Sequence, residues 1–175
     1  PPHYEDALHI QAHKPNNRVK KMCRDLQIET VRRQKDSPTQ KVNLFHHWQE
    51  QEISSVMISA GSPRTINHQQ CEILFQGILN FMQEEGILKD RRNKKPEKKI
   101  KTRIYDPDEE VLVKTSAAGM LLKKVKVGNF LKKGQKVGEV RDIYSGKIVE
   151  ELEAPNDGQL ITLRQYPIVY EKEPI

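Results

Sequence analysis

Apolar positions in the first half of the chain follow two alternating rhythms. Val19, Met22, Cys23 and Leu26 recur at the three-and-four spacing of one helix face, just after Asn16 and Asn17, whose side chains suit a helix N-cap. A short β-favouring run, Ile28 to Val31, follows. The cycle then repeats. Ser37-Pro38 opens a second helix with Val42, Phe45 and Trp48 on one side, and Ser54 to Ala60 (SSVMISA) reads as a buried strand closed by Gly61-Ser62-Pro63. A third helix begins near Asn67, places Cys71, Leu74, Ile78, Leu79 and Met82 on its apolar face, and stops at Gly86. Helices alternating with short strands predict an α/β layer.

The texture changes after Leu88. Between Lys89 and Arg103 stand nine basic and two acidic residues, Pro96 and no aromatic residue. A stretch so poor in apolar surface cannot offset its ordering entropy, so it reads as a linker. Beyond it, β-favouring runs (Glu110 to Lys114, Met120 to Val127, Lys136 to Val140, Lys147 to Glu153, Gln159 to Leu163) alternate with turn signals at Gly128-Asn129, Lys133-Gly134, Ser145-Gly146 and Asn156-Asp157-Gly158. That spacing predicts a small all-β sandwich or barrel. The expected organisation is an α/β domain over residues 1–88, a basic linker over 89–103 and an all-β domain over 104–175.

The net charge of +6 would suggest a nucleic-acid partner, but the excess sits in the linker and the rest of the chain is close to neutral. Without aromatics among those basic residues to stack on bases, nucleic acid is not the expected partner. No apolar run approaches the roughly 20 residues that span a bilayer, and no signal-peptide pattern opens the chain, so a soluble cytoplasmic protein is expected, with oligomeric state open. Cys23 and Cys71 lie in helical apolar patterns and read as reduced, buried hydrophobes. Pro1 opens the sequence inside a polar stretch, as in a piece of something longer.

Two segments carry a resemblance. VKVGNFLKKGQKVGEV (Val125 to Val140) followed by LEAPNDGQL (Leu152 to Leu160) resembles the barrel-sandwich hybrid module of lipoyl and biotinyl carriers, which also forms the C-terminal domain of the succinylglutamate desuccinylase/aspartoacylase family. Upstream, SSVMISAG and the helix that ends with Asn80, Gly86 and Leu88 resemble the stretch just ahead of that domain in the same family. The resemblance implies an incomplete zinc-peptidase-like α/β/α layer followed by the barrel-sandwich domain. It also implies a zinc-dependent amide hydrolase acting on a small N-acyl amino acid, with zinc held by His-Gly-x-Glu and a later histidine. Neither motif is in this sequence; the family places them ahead of the position of Pro1. The family's general-base glutamate falls at Ser59, whose hydroxyl has no basicity near neutral pH, so the chain as given is expected to be inactive. His3, in a Pro-His pair, and Arg64, just past the strand end, are the expected substrate-binding residues.

Other readings stay open. A non-catalytic binding or regulatory relative is one. A carrier module is another, since Lys147 stands eight residues before Pro155 as a lipoylated lysine would. His47-Trp48-Gln49-Glu50 has metal-like spacing, and His9 and His13 are four apart, but no third ligand accompanies either set; the former reads as a solvated helix face with Trp48 packed inward. No metal ligand is assigned within the chain.

Overall fold

The computed structural model describes residues 3–35, 43–89 and 100–175. The Ser37-Pro38 helix start, Val42 and most of the basic linker therefore lie outside the described residues. In chain order the elements are β1 (Tyr4–Ala12), α1 (Asn17–Asp25), β2 (Thr30–Arg33), α2 (Leu44–Glu50), β3 (Met57–Gly61), α3 (His68–Glu84), β4 (Arg103–Tyr105), β5 (Gly119–Lys123), β6 (Phe130–Leu131), β7 (Lys136–Arg141), β8 (Ile148–Glu153), β9 (Gly158–Gln159), β10 (Thr162–Arg164) and β11 (Ile168–Val169). They divide into an α/β unit, residues 8–60 and 66–110, and a β unit, residues 1–7, 61–65 and 111–175.

In the α/β unit β1, β2 and β4 run parallel, with Ile10 opposite Val31 and Val31 opposite Ile104. Helix α1 makes the crossover from β1 to β2 that parallel strands require. Asn16 caps it, its side chain accepting from Val19 N at 2.9 Å. The face of α1 carrying Val19 and Cys23 closes over Ile10, Ala12, Leu26, Ile28 and Val31. β1 is a strand the sequence reading did not assign; Leu8, Ile10 and Ala12 point to this core while His9 and His13, also buried, alternate with them on the other face. On that other face the His13 ring meets His46 of α2, centroids 4.5 Å apart.

Helix α3 is capped by Asn67, whose side chain accepts from Gln70 N at 3.1 Å, and packs Leu74 and Phe81 on the same core. A Cβ at Gly77 would stand 2.3 Å from the Leu26 carbonyl oxygen, so only glycine lets α3 approach α1 this closely. Asn80 donates to the Asp25 carbonyl, and Glu85 pairs with Arg18 and Lys21 of α1. Gly86, at φ +73°, then turns the chain out of the helix.

Three expectations need correction here. Cys71 is exposed rather than buried, because the core-facing stripe of α3 is Leu74, Gly77 and Phe81. Trp48 is 41% exposed, and Phe45 and His46 are the buried residues of α2. The strand read as buried carries no buried residue within Met57–Gly61.

In the β unit, β11, β5, β7 and β8 form an antiparallel sheet in that order, and β6 pairs with β9. Tyr4, Glu5 and Asp6 pair antiparallel with β10. Leu121, Leu131, Val137, Val140, Leu152, Leu163 and Val169 fill its core. Among the described residues these strands do not close into a single barrel. The described residues are thus a mixed α/β arrangement, mostly sheet, with three α-helices.

Glu139 of β7 is buried although charged, held by Lys136 at 2.9 Å and Arg141 at 2.6 Å. Hydrogen bonds from Lys136 first, then Arg141, pull its carboxyl down to about 2 from the ordinary 4.5. A depressed carboxyl contributes stability above its unfolded pKa and loses it as pH falls through the folded one. Melting temperature should therefore fall as pH drops from about 4.5 towards about 2, and Glu139→Gln should flatten that slope in thermal melts across the acid range.

Candidate functional site

Ser59 stands near the end of β3, and β3 pairs with β1. Its hydroxyl accepts from Gln11 Nε2 at 2.8 Å. The same amide nitrogen lies 3.3 Å from His9 Nε2, and the Gln11 carbonyl oxygen accepts from Gln34 Nε2 just beyond β2. Strand alternation explains the grouping. Ile10, Val31, Ile58 and their neighbours turn to the α1 and α3 side, which leaves His9, Gln11 and Ser59 together on the opposite face. The result is a chain of amides and a hydroxyl running across the strand ends.

This arrangement can orient a polar group but cannot abstract a proton through Ser59, because neither an amide nor an alcohol has a pKa near the working range. Of these side chains, sequence reasoning singled out Ser59 and not Gln11 or Gln34. The signal was the polar-apolar alternation of Leu8-His9-Ile10-Gln11-Ala12, a period-two pattern to which the sequence reading assigned no element.

His3 and Arg64 lie in the β unit, whereas Ser59 lies in the α/β unit. His3 is exposed, its ring centroid 5.4 Å from that of Tyr166, and its carbonyl accepts from Gln165 N at 2.7 Å. Arg64 is exposed in the Ser62–Thr65 turn, its backbone N–H donating to Ser62 Oγ at 3.3 Å. Lys147 is exposed in the turn between β7 and β8, where Asp142 accepts from Ser145 N and Ser145 Oγ, each at 2.7 Å.

Zinc is the cofactor that the family resemblance implies, and the residues present do not fit it. Among the described residues no group of three His, Cys, Asp or Glu side chains could hold a metal ion. His13 stands edge-on to His46, with Glu50 3.3 Å from His46 Nε2 but out of hydrogen-bond alignment. Two imidazoles and one largely exposed carboxylate fall short of a catalytic site's three ligands. His47, beside them, is exposed with Nδ1 3.9 Å from Glu50. Cys23 is no candidate either, since burial pushes its thiol up to about 11 and keeps it protonated.

A recess lies at the carboxyl ends of the parallel strands, where open α/β sheets bind ligands, and includes Lys14, Arg33, Lys35, Asp106 and Asp108. Its charges are matched internally, Arg33 to Asp106 at 3.0 Å and Lys35 to Asp108 at 2.8 Å.

No family model matches the sequence, and no curated protein matches it. Solved structures do. The succinylglutamate desuccinylase/aspartoacylase from Rhodobacter sphaeroides superposes with a TM-score of 0.80 at 15% identity, covering 99% of this chain and 53% of that one. The chain has the desuccinylase/aspartoacylase fold. The product-bound ectoine utilization protein EutE from Ruegeria pomeroyi matches at a TM-score of 0.77 and 15% identity, over 99% of this chain and 53% of that chain. A succinylglutamate desuccinylase from a Silicibacter species gives a TM-score of 0.78 at 14% identity, with 99% and 54% covered. The chain therefore spans about half the length of the desuccinylase/aspartoacylase structures it matches. No helix among the described residues is long and apolar enough to cross a membrane.

Proposed function

We propose that this chain is the C-terminal portion of a zinc-dependent amide hydrolase of the N-acyl amino acid deacylase or desuccinylase type, and that it is inactive by itself. Supporting the family is the match of 99% of the chain to half of the desuccinylase/aspartoacylase structures. Supporting the inactivity is the reading of Ser59 as the residue in the family's general-base position; its hydroxyl accepts a hydrogen bond from Gln11. The β unit, which takes in residues 111–175, is read as the barrel-sandwich module. His3 and Arg64 are proposed to meet a small acyl amino acid in the intact protein, with Arg64 offering its forked donors to a carboxylate. The setting is proposed to be cytoplasmic.

The chain's own residues bind and orient in this reading; proton transfer belongs to groups that are not among them. The purified chain should release no amino acid from N-succinylglutamate and hold no stoichiometric zinc. Turnover with one zinc per chain overturns the proposal.

A second reading draws on Lys147, exposed in its hairpin turn as a modified lysine has to be. A carrier would gain the mass of lipoate or biotin there. Intact mass spectrometry of protein from its native host separates the two readings, and an unmodified Lys147 is the expected result.

A further inference from the structure

Strand β3 is an edge strand: among the described residues it pairs with β1 alone. Among the described residues β4 is also an edge strand of this sheet, pairing with β2, and the two edges are built differently. β4 is three residues long, Arg103-Ile104-Tyr105, with Lys101 just ahead of it. Short cationic strands of this kind resist pairing with stray chains. Val56-Met57-Ile58-Ser59-Ala60, by contrast, carries neither charge nor proline. A strand of that composition belongs inside a sheet, where both backbone edges are paired and both faces covered.

Helix α3 is open on one flank. Its stripe of Leu74, Gly77 and Phe81 lies on the core and on α1. With 3.6 residues per turn, Cys71, Phe75, Ile78 and Met82 form a second stripe roughly a quarter turn round, on the flank away from Gly77 and Asn80, which touch α1. Cys71 is exposed on this stripe, as are Phe75 at 55% and Ile78 at 40%. An apolar base and an apolar flank on one helix call for cover on both. Val56, just ahead of β3, and Ile58 within it border the same core as Leu74 and Phe81, so the open strand edge and the open helix flank belong to one corner of the unit. The structures that share this fold carry it on for about as much chain again, since this chain covers 53% of the Rhodobacter sphaeroides protein.

We propose that the edge of β3 and the Cys71–Met82 flank of α3 seat a strand and a helix from the half of the desuccinylase/aspartoacylase fold that this chain does not span. The occupant's identity rests on the hydrolase reading above. It is an α/β polypeptide that adds a strand along Met57–Ala60, on the edge that no described strand occupies, and lays a helix against Phe75 and Ile78.

Cys71 reports on this surface directly, and Cys23, buried with a raised thiol, is an internal control. Maleimide labelling read by mass spectrometry is to be compared between the purified chain and the protein isolated from its native host, with hydrogen exchange of residues 57–60 followed in both. Cys71 should label readily in the purified chain and at least ~10-fold more slowly in the native protein, where the β3 amides should be protected in parallel. In the purified chain, Phe75→Lys with Ile78→Lys should abolish binding of a hydrophobic dye while far-UV circular dichroism and the protection of Cys23 persist. Equal Cys71 rates in the two samples overturn the proposal, and so does protection in a complex with the mass of two copies of this chain. Hydrolysis of N-succinylglutamate by the native protein keeps the two claims apart. Protected Cys71 without hydrolysis upholds the docking surface and sinks the hydrolase reading; hydrolysis with Cys71 open does the reverse.

Discussion

Replacing Ser59 with glutamate should leave the 175-residue chain without detectable hydrolysis of N-acyl amino acids. The same change in a form extended ahead of Pro1 through intact zinc motifs should raise hydrolysis by ~10²–10⁴-fold, the usual worth of a positioned general base. In the hydrolase reading proposed above, the asymmetry arises because two elements are needed at once: a three-ligand metal set, which is not found among the described residues, and a carboxylate in place of Ser59. Supplying one without the other restores nothing.

Local structure refines the expectation. Gln11 Nε2, now donating to Ser59 Oγ at 2.8 Å, would donate to a carboxylate placed at that position. A hydrogen bond to the charged form lowers a carboxyl pKa. Gln11→Leu, added to Ser59→Glu in the extended form, should therefore move the acid limb of kcat/KM to higher pH. Initial rates and bound zinc for short and extended forms, each with serine and with glutamate, test the scheme. Zinc and turnover in the short serine form would falsify the assignment of the base position.

Gly77→Ala should lower the melting temperature of the chain by about 4–8 °C, a net loss of about 2 kcal/mol. Two effects oppose each other. Alanine gains about 1 kcal/mol over glycine in a helix interior. The added methyl, however, would stand 2.3 Å from the Leu26 carbonyl oxygen, a backbone atom that cannot swing aside as a side-chain tip would. Overpacking of that kind costs about 1–3 kcal/mol, and the rigid neighbour puts this case at the top of the range. Gln76→Ala, at an exposed neighbouring position, is the control and should leave the melt within about 1 °C. A Gly77→Ala melt equal to the control would show that the helices separate freely.

The sequence by itself determined the elements whose cause is local. Asn16 and Asn67 cap helices because a short side-chain acceptor is the right length for the free N–H groups of the first turn. Gly86, Gly128 and Gly134 turn the chain through positive φ, as their spacing announces. Even Asn80 was legible as part of a family ending, and the structure supplies its physical role, a hydrogen bond to the Asp25 carbonyl of the neighbouring helix.

Tertiary structure decided what depends on distant neighbours. Tyr4–Ala12 became a central strand because β2 and β10 satisfy its backbone, and its polar residues Gln11 and His9 then met Ser59, 48 residues on from Gln11, through strand alternation and not chain proximity. Cys71 and Leu74 look alike in an apolar pattern, yet one is exposed and the other lies on the core, because a helix with two apolar stripes does not declare which one its own chain will cover. Likewise the apolar run of β3 states that the strand is to be buried but not by what. Composition sets the demand for burial, and only the packed structure shows where this chain leaves that demand unmet.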